Sequence, residues 1–229
     1  MNEEFPLEII FTDESLIVVN KPAGLLSIPD GYHPAMPYLT SELAKGFGKV
    51  WIVHRLDRET SGIMIVARTI FAHRELNLQF EHRQVQKIYH ALVVGFPDWE
   101  SIEVDTPLKV NGDRRHRTVP APVEGKQART TFKVITRYAN GCLIEARPHT
   151  GYTHQIRAHL ASLGFPIFGD TLYHNRQQAA SVPDNPPLPA ARVCLHARSI
   201  SFEHPLSKKT LSFAAAYPPD FLEAIRTLD

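Results

Sequence analysis

Residues 7–11 (LEIIF), 16–20 (LIVVN) and 63–67 (IMIVA) are short runs of branched apolar side chains cut off by polar turns, and they leave few architectures open. Valine and isoleucine lose side-chain freedom in a helix and fit a pleated surface, so runs this short read as buried strands. Thr12-Asp13-Glu14-Ser15 reads as the turn between the first two, and Lys21-Pro22-Ala23-Gly24 stops the second. Residues 38–46 read as a short helix. Residues 69–83 read as an amphipathic helix whose apolar side runs through Ile70, Phe71, Leu76, Leu78 and Phe80. The alternation in 86–95 predicts a strand with Ile88, His90, Leu92 and Val94 on one side and Lys87, Tyr89, Ala91 and Val93 on the other. Further strands are predicted near 102–108, 129–138, 141–147, 195–205 and 211–214. A helix over HQIRAHLASLG has Thr150 as N-cap, Gly164 as stop and Ile156, Leu160 and Leu163 as its apolar stripe, and a last helix starts near 218. The polar, Pro-rich residues 175–192 read as a mobile surface excursion. With 229 residues, 43% of them hydrophobic, the chain can bury a large core. The expected fold is one α/β domain of the α+β kind over residues 1–229: a mixed, largely antiparallel sheet with flanking helices.

Lysine and arginine number 25 against 24 acidic residues, so any binding of a polyanion must come from a local basic surface. The N-terminus has no basic head followed by a long apolar run, and no segment reaches membrane-spanning length, which makes the cytoplasm the default address. Cys142 and Cys194 form no Cys-x-x-Cys pair and read as reduced, packed thiols. Twelve histidines invite a metal, yet there is no His-Glu-x-x-His, and His154 and His159 are five apart, on different helix faces. Neither Gly-x-Gly-x-x-Gly nor a P-loop occurs, so the expected chemistry uses no metal and no cofactor.

Chemistry concentrates in His54-Arg55-Leu56-Asp57-Arg58-Glu59-Thr60-Ser61-Gly62, which sets one carboxylate among cations, hydroxyls and a glycine on a loop leading into a buried strand. Asp57 there is either half of a surface ion pair or a nucleophile. Between residues 109 and 127, Lys109, Arg114, Arg115, Arg117 and Lys126 outnumber Asp113 and Glu124, which describes either a solvated loop or a clasp for a phosphate backbone. Thr153, His154 and Arg157 share a helix face near its positive end, able to hold a phosphate or a carboxylate such as Asp57.

Six segments in order, VVNKPAGLLSIP (18–29), HRLDRETSG (54–62), QKIYHALVVG (86–95), EGKQARTTF (124–132), RPHTGYTHQIRAHLASLGFPIFGDTLY (147–173) and LHARSISFEHP (195–205), together resemble the RluA family of pseudouridine synthases. The resemblance implies an isomerase that cuts the N1–C1′ bond of a uridine in RNA, rotates the uracil and rejoins it through C5. It also implies Asp57 as nucleophile, Tyr89 against the uracil and as base for the C5 proton, and Arg157 paired with Asp57. Arg55 enters the space of the extruded base, while His54, Arg58, Lys87, His154 and the loop Arg114, Arg115 and Arg117 contact RNA. Tyr152 stands where the family usually has arginine, which points to altered RNA affinity or target preference. The first strand near residue 7 carries the expectation that no S4-type module precedes it, as in standalone members acting on tRNA or large-subunit rRNA. A monomer is assumed. Rival readings are a non-catalytic RNA-binding domain of the same fold and a carboxylate-dependent glycoside hydrolase, the latter lacking a well-placed second carboxylate beyond Glu59.

Overall fold

The computed structural model describes residues 7–31, 33, 35–174 and 192–229, so the excursion expected at 175–192 lies, apart from Arg192, outside the described residues. The chain groups into two compact units, Met1–Lys87 with Ala197–Tyr217, and Ile88–His196 with Pro218–Asp229.

The first unit contains β1 (Glu8–Thr12), β2 (Leu16–Lys21), α1 (Leu39–Phe47), β3 (Trp51–Ile52), β4 (Ser61–Ala67) and α2 (Ile70–Glu81). The turn between β1 and β2 is set by Asp13, whose Oδ1 accepts the backbone N–H groups of Ser15 at 2.7 Å and Leu16 at 2.9 Å. β2 pairs antiparallel with β1 and with β4, and β3 adds to β4. Leu16 to Val19 and Ile65 to Ala67 have no exposed surface, which is why both strands read as unbroken apolar runs.

α2 is capped by Thr69, whose Oγ1 accepts the Ala72 N–H. Its buried line is Ala72, Leu76 and Gln79, at helical spacing, and it corrects the expected stripe. Ile70 and Phe71 are 72% and 50% exposed, because they precede that line in the first turn. Gln79 is buried because its amide acts as a strand partner: Nε2 donates to Glu203 O at 2.8 Å, and Oε1 accepts Glu203 N–H at 2.9 Å.

The second unit carries β5 (Gln86–Val93), β6 (Ser101–Asp105), β7 (Leu108–Lys109), β8 (Val119–Pro120), β9 (Arg129–Tyr138), β10 (Gly141–Pro148) and α3 (Gln155–Ser162). Strand β11 (Leu195–Glu203) runs from the second unit into the first, pairing there with β12 (Thr210–Ala214), and α4 (Pro219–Leu228) closes the chain. In the second unit the strand order is β5-β10-β9-β6, all antiparallel, with Tyr89 opposite Ala146 and Ala146 opposite Phe132. Inside the predicted basic loop, β7 and β8 form a two-stranded ribbon.

α3 starts differently from the expectation. His154, not Thr150, stands at the N-cap, in the left-handed conformation with φ 57°. Thr150 Oγ1 instead donates to Gln155 Oε1 at 2.7 Å and accepts Arg129 N–H at 3.1 Å. Gln155 Nε2 in turn reaches Arg129 O and Thr130 Oγ1, stapling the helix start to β9. Gly164, at φ 88°, ends the helix as its position predicts. The fold class is the expected one, mixed α/β with a mainly antiparallel sheet and, among the described residues, four helices. Cys142 and Cys194 are both buried free thiols, and burial pushes the Cys194 thiol up to about 11.

Candidate active site

Asp57 occupies the first position of a turn in which Thr60 N–H donates to Asp57 O at 3.0 Å, immediately before β4 begins. Asp57 is half-buried while its chain neighbours are anchored. Leu56 is buried, and both its backbone groups are taken by one hydroxyl: Ser27 Oγ accepts Leu56 N–H at 3.0 Å and donates to Leu56 O at 2.7 Å.

On the other side, the Arg58 carbonyl accepts the Gly24 N–H at 2.9 Å and the Lys21 ammonium at 3.3 Å. Lys21 is fully buried, and its Nζ also donates to Pro22 O at 2.8 Å and Leu25 O at 2.9 Å. Gly24 makes this approach with φ 86°, a conformation that favours glycine. The segment 21–27 is thus a cradle for the backbone on both sides of Asp57. Sequence reasoning saw Lys21 and Gly24 only as a strand stop. The available signal was a lone lysine two positions behind the apolar run Leu16-Ile17-Val18-Val19.

Gly62 ends the motif with φ 116°, paired with Lys21 across the β2–β4 ladder. A Cβ there would overlap the backbone of Ala197, so only glycine lets β11 lie against this strand.

His54 does not have the form expected of a phosphate contact. Its Nε2 accepts the Ile65 N–H at 2.9 Å, and its ring stacks on Phe80 with centroids 4.7 Å apart. Burial, helped by the nearby Lys87 charge, holds its pKa down at about 3. A neutral, acceptor-bound imidazole carries no charge to a phosphate. Lys87 is half-buried, and desolvation lowers it to about 8, so it remains largely cationic at neutral pH. Arg55 and Arg58 are exposed, with Arg58 Nε 3.5 Å from Glu59.

Tyr89 and Arg157 belong to the second unit. Tyr89 is half-buried on β5, on the face that continues into the fully buried Ala91 and Val93. His90 points the other way, 4.0 Å from Glu145 on β10. Arg157 is 8% exposed on α3, and its guanidinium forms a two-pronged pair with Asp170, Nε to Oδ2 at 2.7 Å and Nη2 to Oδ1 at 2.8 Å. Its Cζ lies 5.1 Å from the centre of the Tyr173 ring.

Around the same tyrosine the structure gathers three more of the expected RNA contacts. His154 Nδ1 is 3.3 Å from Tyr173 Oη, Arg117 Cζ lies 6.0 Å from the ring, and Arg115 Nη2 donates to Thr171 O at 3.3 Å. Arg117 is half-buried and already matched by Asp113, Nε to Oδ2 at 2.7 Å, which makes it a brace for its loop more than an open cation. Arg114 is exposed. Asp170 and Tyr173 escaped sequence reasoning as site residues, although both lie in the quoted segment 147–173. Tyr152 packs against the apolar cluster of Leu108, Ala128, Ala158 and Tyr173, so an aromatic contact fills the place of the family's usual arginine.

The family model described as RNA pseudouridylate synthase matches residues 15–162. A dual-specificity RNA pseudouridine synthase RluA from Pasteurella multocida is 38% identical over 216 residues, covering 94% of this chain and 94% of that protein. Ribosomal large subunit pseudouridine synthase D from Zymomonas mobilis is 38% identical over 228 residues, covering 95% of this chain and 71% of the other. Among solved structures, human RNA pseudouridylate synthase domain containing 4 superposes with a TM-score of 0.77 at 25% identity, over 96% of this chain and 92% of that one. A cradle built around one aspartate in a family motif, on this fold and with these relatives, means that the chain belongs to the RNA pseudouridylate synthases, isomerases that act on RNA. Its relatives place it with the RluA type. No helix among the described residues is long and apolar enough to cross a membrane.

Proposed function

We propose that this protein isomerises specific uridines of tRNA or large-subunit rRNA to pseudouridine, with Asp57 as the nucleophile. The observation that carries the reading is the Asp57 turn, whose backbone is fastened on both sides by Ser27 and Lys21 while Asp57 itself is only half-buried. Such anchoring holds an attacking group in one geometry, and position accounts for a large share of catalytic power. The Zymomonas relative, a ribosomal large subunit pseudouridine synthase, supports large-subunit rRNA as one target class.

The reaction breaks N1–C1′, forms C5–C1′, removes a proton from C5 and returns one to N1. Asp57 attacks either the sugar at C1′ or the base at C6, and both routes require it ionised. Tyr89 packs against the uracil and takes the C5 proton. Arg157 favours the charged carboxylate by electrostatics. Because a stacked uridine is out of reach, the base is extruded at a cost of a few kcal/mol, and Arg55 takes its place in the stack. Arg58, Lys87 and Arg114 then hold backbone phosphates. The work is assigned to the cytoplasm and to a monomer.

The test is tritium release from RNA labelled at uridine C5, with the native chain beside Asp57→Ala and Asp57→Asn. Isomerisation predicts release without free uracil and a loss on the order of 10⁴-fold in both variants. Free uracil in the product would indicate a glycoside hydrolase, and RNA binding with neither product would indicate a binding domain.

A further inference from the structure

In the second unit Arg157 is held by polar side chains to which the reaction scheme gives no role. At 8% and 2% exposure, Arg157 and Asp170 are not a surface pair. A guanidinium taken this far from water needs a carboxylate whose own position is fixed. Asp170 meets that need, because its Oδ1 also accepts the backbone N–H groups of Leu172 and Tyr173, each at 3.2 Å. The turn that carries Asp170 thereby places the Tyr173 ring against the guanidinium it binds.

The same short segment is gripped by the basic loop. Thr171 O takes a hydrogen bond from Arg115 at 3.3 Å, Leu172 O from Arg117 at 3.4 Å, and Tyr173 Oη from the backbone N–H of Thr118 at 2.8 Å. Thr118 Oγ1 also donates to Thr153 O at 2.7 Å, just before α3. Three residues of the loop therefore hold three consecutive residues of the segment that holds Arg157, and the loop is itself a candidate RNA contact.

We propose that Asp170 and Tyr173 are positioning residues for Arg157, and that Tyr173 links its guanidinium to the loop at 112–118, so that RNA held by the loop is brought into register with Arg157. The assignment rests on the role given to Arg157 above. Asp170 fixes two of the guanidinium's N–H groups and so sets the direction of the others. Tyr173 supplies the face of its ring to the cation and its hydroxyl to the loop backbone.

The experiment is single-turnover tritium release by the full chain, on C5-labelled RNA from cells lacking the protein. It compares Arg157→Lys, Asp170→Asn, the two combined, and Tyr173→Phe, each checked for folding by circular dichroism. Asp170→Asn is expected to slow the reaction about 10²-fold, as ångström-scale misplacement does, with the loss in the rate at saturating RNA and not in the half-saturating concentration. In the Arg157→Lys background the same change should add less than about threefold, because a residue acting through another has no effect once that other is gone. Tyr173→Phe should raise the half-saturating RNA concentration about fivefold, the value of one neutral hydrogen bond.

Losses from Arg157→Lys and Asp170→Asn that multiply in full would overturn the proposal, as would Tyr173→Phe with native half-saturation. An active native chain with Arg157→Lys at full rate would instead remove the role of Arg157, and this inference with it. If Asp170→Asn does not fold, Asp170→Glu, which keeps the charge and shifts the carboxylate by one methylene, carries the same comparison.

Discussion

A lysine ammonium with no exposed surface must place its protons on acceptors, and Lys21 does so on the carbonyls of Pro22, Leu25 and Arg58. Lys21→Met keeps the apolar stem and strands those carbonyls. It is expected to cost about 3 kcal/mol in urea unfolding and to lower tritium release along with it. A native urea midpoint in the variant would refute the cradle. His54 gives a pH signature. The unfolded imidazole binds a proton near its ordinary 6.5 and the folded one only near 3, so between these values the unfolded state holds more protons. Stability therefore falls as pH falls, by about 2 kcal/mol between pH 7 and pH 5 from this group alone. Urea midpoints across that range should show the slope in the native chain, and His54→Gln should flatten it.

At the level of elements, α2 shows how a period can be right and a face wrong. The expected stripe counted Ile70 and Phe71 as core, but the helix turns Ala72, Leu76 and Gln79 inward. Leu76→Ala is expected to cost about 2–5 kcal/mol, whereas Ile70→Ser and Phe71→Ser should stay within about 0.5 kcal/mol of native. The same unfolding experiment ranks all three, and equal losses would restore the expected stripe. α3 teaches the complementary lesson. Thr150 has the chemistry of a cap, yet Gln155 draws its hydroxyl into the link with β9, and His154 takes the left-handed start with its ring set edge-on to Tyr173.

For the whole molecule, a formal charge of +1 means that RNA affinity must come from a few local cations. With His54 neutral, Arg117 matched by Asp113 and Arg55 assigned to the base stack, those left for phosphates are Arg58, Lys87 and Arg114. Three contacts to a single strand predict that log affinity falls against log salt with a slope of about −2. Filter binding between 50 and 200 mM salt, as rough bounds, checks this. Arg114→Ala should reduce the slope by about 0.7, while His54→Gln should leave it alone.

The positions of most strands were readable from the chain because branched apolar runs and turn residues act over a few positions, and β1, β2, β4, β5, β9 and β10 fall where those runs predict. The family was readable because its motifs are local and ordered, and they marked Asp57 out among many surface carboxylates. Which cations stay available to RNA was not readable, since it depends on partners more than ten residues away in sequence: Ile65 on His54, Arg58 on Lys21, Asp170 on Arg157. Burial and long-range hydrogen bonding, which exist only once the chain has folded, turned an expected phosphate ligand into a neutral acceptor and made a strand-ending lysine the support of the aspartate turn.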